Sequence, residues 1–273
     1  MSPKAKIWSI VGAVTAVIVL VSAVFVVAAL NDDDSESTNN AGPTQSTYNA
    51  PTADPGASGF GTPTTDFIGR KVMIPNNPAG QPLDQTTPGD RGGCAASPAV
   101  SPEGVMIQRT FDVSNLFSTS DGPTRIEGNR AVGYRQTPQG AVLAAWNIFK
   151  RMGIGGDVSE DVLFNQVVMT DEQRQKIESL GPLGGPGIDP AALKYDQAAE
   201  AFRILSCDKD FVSIEYAAIQ PGDDKGMFPQ RQWLGYRMAV VWRDGDWKFL
   251  PDGSGLAPAP YTSLGEEWTR WAL

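Results

Sequence analysis

The sequence contains no histidine among its 273 residues. That removes the Ser-His-Asp and Cys-His nucleophile systems, histidine-rich zinc sites and the imidazole proton shuttle. Charge is scarce too, at 19% against a usual quarter, and the bases form no run of five or more of the kind nucleic-acid-binding tails carry. Cysteine is limited to Cys94 and Cys207, whose spacing fits no metal motif. In excess are 29 glycines and 21 prolines, which imply long irregular stretches.

The longest apolar run, Ile7 to Leu30 (IWSIVGAVTAVIVLVSAVFVVAAL), carries no charge. At ~1.5 Å per helical residue it is long enough to cross ~30 Å of hydrocarbon. Lys4 and Lys6 precede it and Asp32, Asp33 and Asp34 follow, so the positive-inside rule puts the N-terminus in the cytoplasm and the rest outside. Residues 1–30 are expected to be a cytoplasmic stub and transmembrane anchor, with the bilayer as the partner of residues 7–30. A cleaved signal peptide is the competing reading, since Val27-Ala28-Ala29 loosely fits a cleavage site, although such peptides have apolar cores of only ~7–15 residues. All 31 acids and every base but Lys4 and Lys6 follow the run, so the outer part is more acidic than the whole chain's −9. Such a surface repels nucleic acid, and no direct nucleic-acid binding is expected.

On the outer side of a membrane disulfides persist. Cys94 and Cys207 are therefore expected to pair, the alternative being two separate buried or free thiols. A bridge would tie the Pro/Gly-rich region around Cys94 to the strand region around Cys207.

Composition divides the rest of the chain. Residues 31–66 are rich in Ser, Thr, Asn, Pro, Gly and Ala and nearly devoid of aliphatic side chains, which predicts a disordered linker. Residues 67–104 read as an extended arm with at most one edge strand, because Pro75, Pro78, Pro82 and Pro88 argue against a central one. Residues 105–273 are expected to form the exported domain. Strands are predicted over Val105 to Phe111 and Arg125 to Tyr134, separated by the polar turn Ser118 to Pro123.

Four helices follow. Thr137-Pro138 is an N-cap with proline in the first turn, and Ala141, Ala144, Ala145, Ile148, Phe149 and Met152 recur on one face before Gly153. A second helix is predicted from Ser159. Thr170 with Gln173 forms a capping-box signature for a third, ending at Gly181. Asp189-Pro190 would cap a fourth, running through Ala198 and Ala199 to Phe202. The last third is β: Phe211 to Gln220, then Trp233 to Trp242 and Trp247 to Leu250 around an Asp-Gly turn. Tyr236, Met238, Val240 and Trp242 alternate onto one face of a half-buried antiparallel sheet. The fold class is α+β.

Two segments, FIGRKVMIPNNPAGQPL (67–83) and FSTSDGPTRIEGNRAVGYRQTPQGAVLAAWNIFKRM (117–152), resemble an uncharacterised family of membrane-anchored, exported actinobacterial proteins. No catalytic residues come with that resemblance. The layout of one span, a flexible linker and helices followed by a Trp-rich strand pair (VVWRDGDWKF) is similar to the VirB8-type subunits of conjugation channels. It implies helices packed on a curved antiparallel sheet in a cystatin- or NTF2-like cone, with a scaffold role in a type IV secretion apparatus. Such a cone would enclose a pocket with Trp146, Tyr216 and Tyr236 as lining.

Candidate chemistry is thin. Ser206-Cys207-Asp208-Lys209 has the Ser-x-x-Lys spacing but lies at a turn into a strand, without the accompanying motifs. Asp244 and Asp246 suit a hairpin turn better than a calcium loop. Gly153-Ile154-Gly155-Gly156 follows a helix and is not expected to cradle phosphate. Glu160-Asp161 and Glu266-Glu267 read as solvated acids.

No cofactor or metal is expected, and the function expected is a non-enzymatic interaction module contacting other membrane or envelope proteins or a second copy of itself. The alternative is a cell-surface small-ligand or cell-wall-binding module that uses the pocket. Trp268, Trp271 and Leu273 either form a partner-contacting patch, since Trp is enriched at interface hot spots, or pack a C-terminal helix onto the core.

Overall fold

The computed structural model describes residues 50–179, 181, 190–223, 226–251 and 258–273. The expected anchor lies outside the described residues, and no described helix is long and apolar enough to cross a membrane. The fold is α+β, three helices on a mostly antiparallel sheet.

The expected linker over 31–66 enters the described residues at Ala50, and its described part is built into the fold. Ala50 and Ala53 pack beside Phe111 and Val158, and the Asp54 amide donates to Asn77 Oδ1 at 3.1 Å. β1 (Thr64–Thr65) pairs with β2 (Lys71–Val72). Asp66 closes the turn between them, accepting from the amides of Ile68 and Arg70 and from Arg70 Nε. Composition misses this because the order comes from a few polar side chains that satisfy backbone groups, with little apolar burial. The arm is equally integrated. Val72 lies in the main core, and the Arg70 guanidinium donates to the carbonyls of Ala198 and Ala199. The Cys94–Cys207 disulfide joins the arm to the sheet across 113 positions.

β3 (Met106–Thr110) and β4 (Val113–Phe117) form a tight hairpin, with Phe111 and Asp112 both at positive φ. Instead of one strand over Arg125 to Tyr134, a second small hairpin turns between β5 (Arg125–Glu127) and β6 (Arg130–Val132), because Gly128 takes φ 60°. Helix α1 (Pro138–Met152) has the predicted bounds, and the Thr137 hydroxyl accepts from the Gly140 amide. Every residue of α1 is buried, since the β3–β4 hairpin covers one side and the sheet the other. Asn147 fastens the hairpin like an extra strand, accepting from the Leu116 amide and donating to the Leu116 carbonyl.

α2 (Gly156–Gln166) begins earlier than predicted. Ser159 sits inside its first turn, accepting from the Gly155 amide and donating to the Met152 carbonyl. Gly153 ends the previous helix and Gly155-Gly156 opens this one, correcting the expectation that the glycine run only follows a helix. α3 (Asp171–Ser179) carries the predicted capping box, with Thr170 and Gln173 exchanging amide-to-side-chain bonds.

The fourth predicted helix is absent. A short 3-10 turn, Pro190–Tyr195, is followed by strand β7 (Ala201–Asp208). The apolar spacing at Ala198, Ala199 and Phe202 is helix-like, but pairing decides the outcome: Ala201 and Phe202 lie opposite Ala217 and Tyr216 of β8 (Phe211–Asp223). β8 pairs along most of its length with β9 (Gly226–Arg243), which turns through Asp244 and Gly245, both at positive φ, into β10 (Asp246–Leu250). β11 (Ala259–Tyr261) pairs with β9 beyond β10, and β12 (Thr269–Arg270) lies along the start of β7.

The sheet has two covered faces. Val212, Ile214 and Tyr216 with Tyr236, Met238 and Val240 pack toward α1 in the main core, as the alternation predicts. Ala217, Ile219 and Trp233 face the other way, where the C-terminal segment and the arm cover them with Trp268, Tyr261 and Phe67. Gly235 permits that crossing, since a Cβ there would lie 2.6 Å from the Tyr261 ring.

Candidate functional site

A small cavity of about 50 Å³ opens on the helix side of the sheet. α1 contributes Trp146, Phe149 and Lys150; β9 contributes Leu234 and Tyr236. These α1 residues are three and four apart, so they share one helix face, while Leu234 and Tyr236 are two apart and share one sheet face. The aromatic wall is continuous, with ring centroids 6.2 Å apart for Trp146 and Phe149 and 6.3 Å for Phe149 and Tyr236.

The polar end of the cavity is an ion pair. Lys150 Nζ bonds Asp196 Oδ1, both side chains buried, and lies 5.7 Å from the Trp146 ring centroid. Asp196 Oδ2 accepts from the Ser114 amide at 2.6 Å. Next to it the Gln197 amide occupies both backbone groups of Ile219. The Tyr236 hydroxyl has no hydrogen-bond partner among the described residues, and burial raises its pKa above the usual 10. Of the three expected lining residues, Trp146 and Tyr236 are brought together here. Tyr216 is not: it stands behind Trp146, ring centroids 5.3 Å apart, and donates its hydroxyl to the Val142 carbonyl. It is spent on packing because its ring lies against Trp146 and its hydroxyl is bonded to the backbone of α1.

A second polar centre forms at the turn Ser118 to Pro123. Asp121, fully buried, accepts two bonds from Arg91 and one each from the Ser120 and Thr137 hydroxyls. Burial by itself would raise the carboxyl pKa, but these donors outweigh it and hold it below the usual carboxylate range. Asp246 shows the opposite balance. Burial raises its pKa despite bonds from the amides of Gly133, Trp247 and Tyr134. Asp121 thus joins three side chains, whereas Asp246 clamps backbone amides. Arg151 is a buried cation on neutral partners, donating to the carbonyls of Asn129 and Ala79 above the Phe111 ring, and burial lowers its pKa to about 10.

The C-terminal tryptophans are not a surface patch, and the predicted helix there is absent. Trp268 and Trp271 are each 7% exposed, on opposite faces of the sheet. Trp271 stacks on Phe202, centroids 4.6 Å apart, and donates to the Ala199 carbonyl. Only Leu273 of the three is exposed, at 60%. The tail reaches it along the arm, with Thr269 bonded to the Ala99 carbonyl and the Ala272 amide to Ser101. Val100 between them is 48% exposed and Leu205 on β7 is 43% exposed.

The remaining sequence candidates stay apart. Ser206 lies on β7 and Lys209 in the turn that follows, so no helix sets one above the other. Among the described residues no three acidic, cysteine or histidine side chains gather as a metal group. Sequence reasoning missed the Lys150–Asp196 pair, because 46 positions separate the partners and no local signal links them.

No curated protein and no solved structure matches the chain. A family model matches residues 73–270, which takes in the hub at Asp121, the cavity and both cysteines. The chain therefore belongs to the family described as Domain of unknown function (DUF8175).

Proposed function

We propose that the protein is a membrane-anchored, extracytoplasmic interaction module, a non-enzymatic scaffold subunit of a conjugation or type IV secretion-like envelope assembly. The observation that carries this reading is the Cys94–Cys207 disulfide, because such bonds persist outside the reducing cytoplasm. The uncharged run from Ile7 to Leu30 supplies the anchor. Helices on an antiparallel sheet suit the curved cone of cystatin- or NTF2-like heads. The contact surface in this reading is the rim where Val100 and Leu273 are exposed beside the bonded tail, since exposed apolar groups near a polar rim suit a partner protein.

The test is crosslinking in intact cells, followed by detergent co-purification of the full-length protein. Envelope or channel subunits recovered with the wild type, and lost with a Val100→Asp, Leu273→Asp double variant, support the proposal. A protein recovered alone, or a set of partners indifferent to the double variant, contradicts it.

A further inference from the structure

We infer that the cavity between α1 and β9 binds the neutral acetamido end of a small molecule, with the Tyr236 hydroxyl and the Lys150 ammonium as donors to its carbonyl oxygen. The inference is independent of the scaffold reading, since it concerns a different surface.

Size limits the ligand first. About 50 Å³ holds on the order of four waters, enough for a short acyl end but not for a sugar ring or an aromatic. Hydrogen-bonding capacity limits it next. An ammonium has three N–H donors, and Lys150 uses one on Asp196. The Tyr236 side chain is buried and its hydroxyl has no partner among the described residues. The hydroxyl is not among the fully buried unpaired polar atoms; it faces the cavity, where a ligand carbonyl can replace water as its acceptor. Trp146, Phe149 and Leu234 form the apolar part of the wall, which suits a methyl group, while Asp196 and Gln197 at the polar end are already bonded to Lys150, the Ser114 amide and Ile219.

Charge sets the class. Lys150 and Asp196 already neutralise each other, so a carboxylate would bring an uncompensated charge beside Asp196, and a buried unpaired charge is disfavoured. A neutral carbonyl carries no such penalty. An acetyl amide meets all four requirements, with its remainder left outside. Two sources share that chemistry, an N-acetylated amino sugar and an N-acetylated amino acid.

The experiment uses the full chain in detergent micelles and saturation-transfer NMR on the methyl protons of two probes, N-acetylglucosamine and N-acetylalaninamide. Glucose and acetate are the controls. We expect saturable transfer from at least one probe with Kd in roughly the millimolar range, as suits so small a group. Binding should weaken about tenfold in Tyr236→Phe, which removes one donor and no existing bond. Ala218→Val narrows the cavity without touching a polar group and should abolish binding; its folding is checked by circular dichroism. The proposal is overturned by three results: no transfer from either probe up to about 50 mM, equal transfer in wild type and both variants, or acetate binding as well as the amides. Which probe binds tells the sugar source from the amino-acid source.

Discussion

Arg91 grips Asp121 with two bonds of 2.6 and 2.8 Å, one from each terminal guanidinium nitrogen to each carboxylate oxygen. The pair ties the Pro/Gly-rich arm to the turn after β4, and the Thr137 hydroxyl carries the tie to the start of α1. Asp121 is fully buried and the Arg91 side chain is only 9% exposed. Removing one member of such a pair strands the other, so Asp121→Ala is expected to cost about 3–5 kcal/mol. Urea unfolding of the protein measures this, and a loss under ~1 kcal/mol would contradict it.

The same carboxylate gives the hub a pH dependence. Its folded pKa lies below the unfolded value, so its stabilisation is fully present above pH ~4 and is lost as pH falls through the folded pKa. Wild type and Asp121→Asn should differ in stability at neutral pH and converge as the pH falls below the folded pKa of Asp121. A difference that stays constant from neutral to acid pH would show that the carboxylate charge plays no part.

The disulfide is expected to matter for stability as well as for compartment. It closes a loop with a separation of 113 residues, and a bridge of this kind typically contributes about 2–4 kcal/mol, chiefly by restricting the unfolded chain. Cys94→Ser with Cys207→Ser should lower the unfolding free energy measured in urea by that amount, and reduction of the wild type should do the same. An unchanged unfolding free energy would mean that the arm's noncovalent contacts, Val72 in the core and the Arg70 and Arg91 bonds among them, hold it without the bridge.

Trp271 and Leu273 lie two residues apart and should behave oppositely. Trp271→Ala empties the site against Phe202 and is expected to destabilise by about 3–5 kcal/mol. Leu273→Ala touches an exposed side chain and should stay within about 0.5 kcal/mol of wild type. Thermal unfolding separates them. Equal effects would contradict the placement of Trp271 in the core.

Gly140 tests the start of α1. A Cβ there would lie 2.0 Å from the Arg135 carbonyl oxygen, a contact that backbone must move to relieve. Gly140→Ala should cost about 1–3 kcal/mol, in contrast to its usual helix-stabilising effect. A stabilised variant, read by the same unfolding assay, would contradict the tight approach.

These residues also show what the sequence made legible. α1 could be read to the residue because its signals are local: Thr137 caps it, Pro138 sets the first turn and Gly153 follows the end. The β9–β10 hairpin carried its turn chemistry in Asp244 and Gly245, and the inward face of β9 followed from alternation. β7 was hidden because Ala198, Ala199 and Phe202 are spaced as on a helix, and only pairing with β8 makes the segment extended. The candidate site was half legible. Trp146 and Tyr236 both line the cavity. The Lys150–Asp196 pair and the Arg91–Asp121 hub join residues far apart in the chain, and they exist only once the helix and arm have docked. Trp268 and Trp271 suggested one face because they stand three apart; in the strand conformation they take opposite faces.

The most direct test of the proposed role places a photo-reactive amino acid at position 273 or 100 of the full-length protein in living cells. Glu178, exposed on α3, is replaced in the same way as a control. The scaffold reading predicts a discrete crosslinked envelope protein from positions 273 and 100 and none from position 178. Crosslinks absent from both rim positions, or the same from all three, would contradict it.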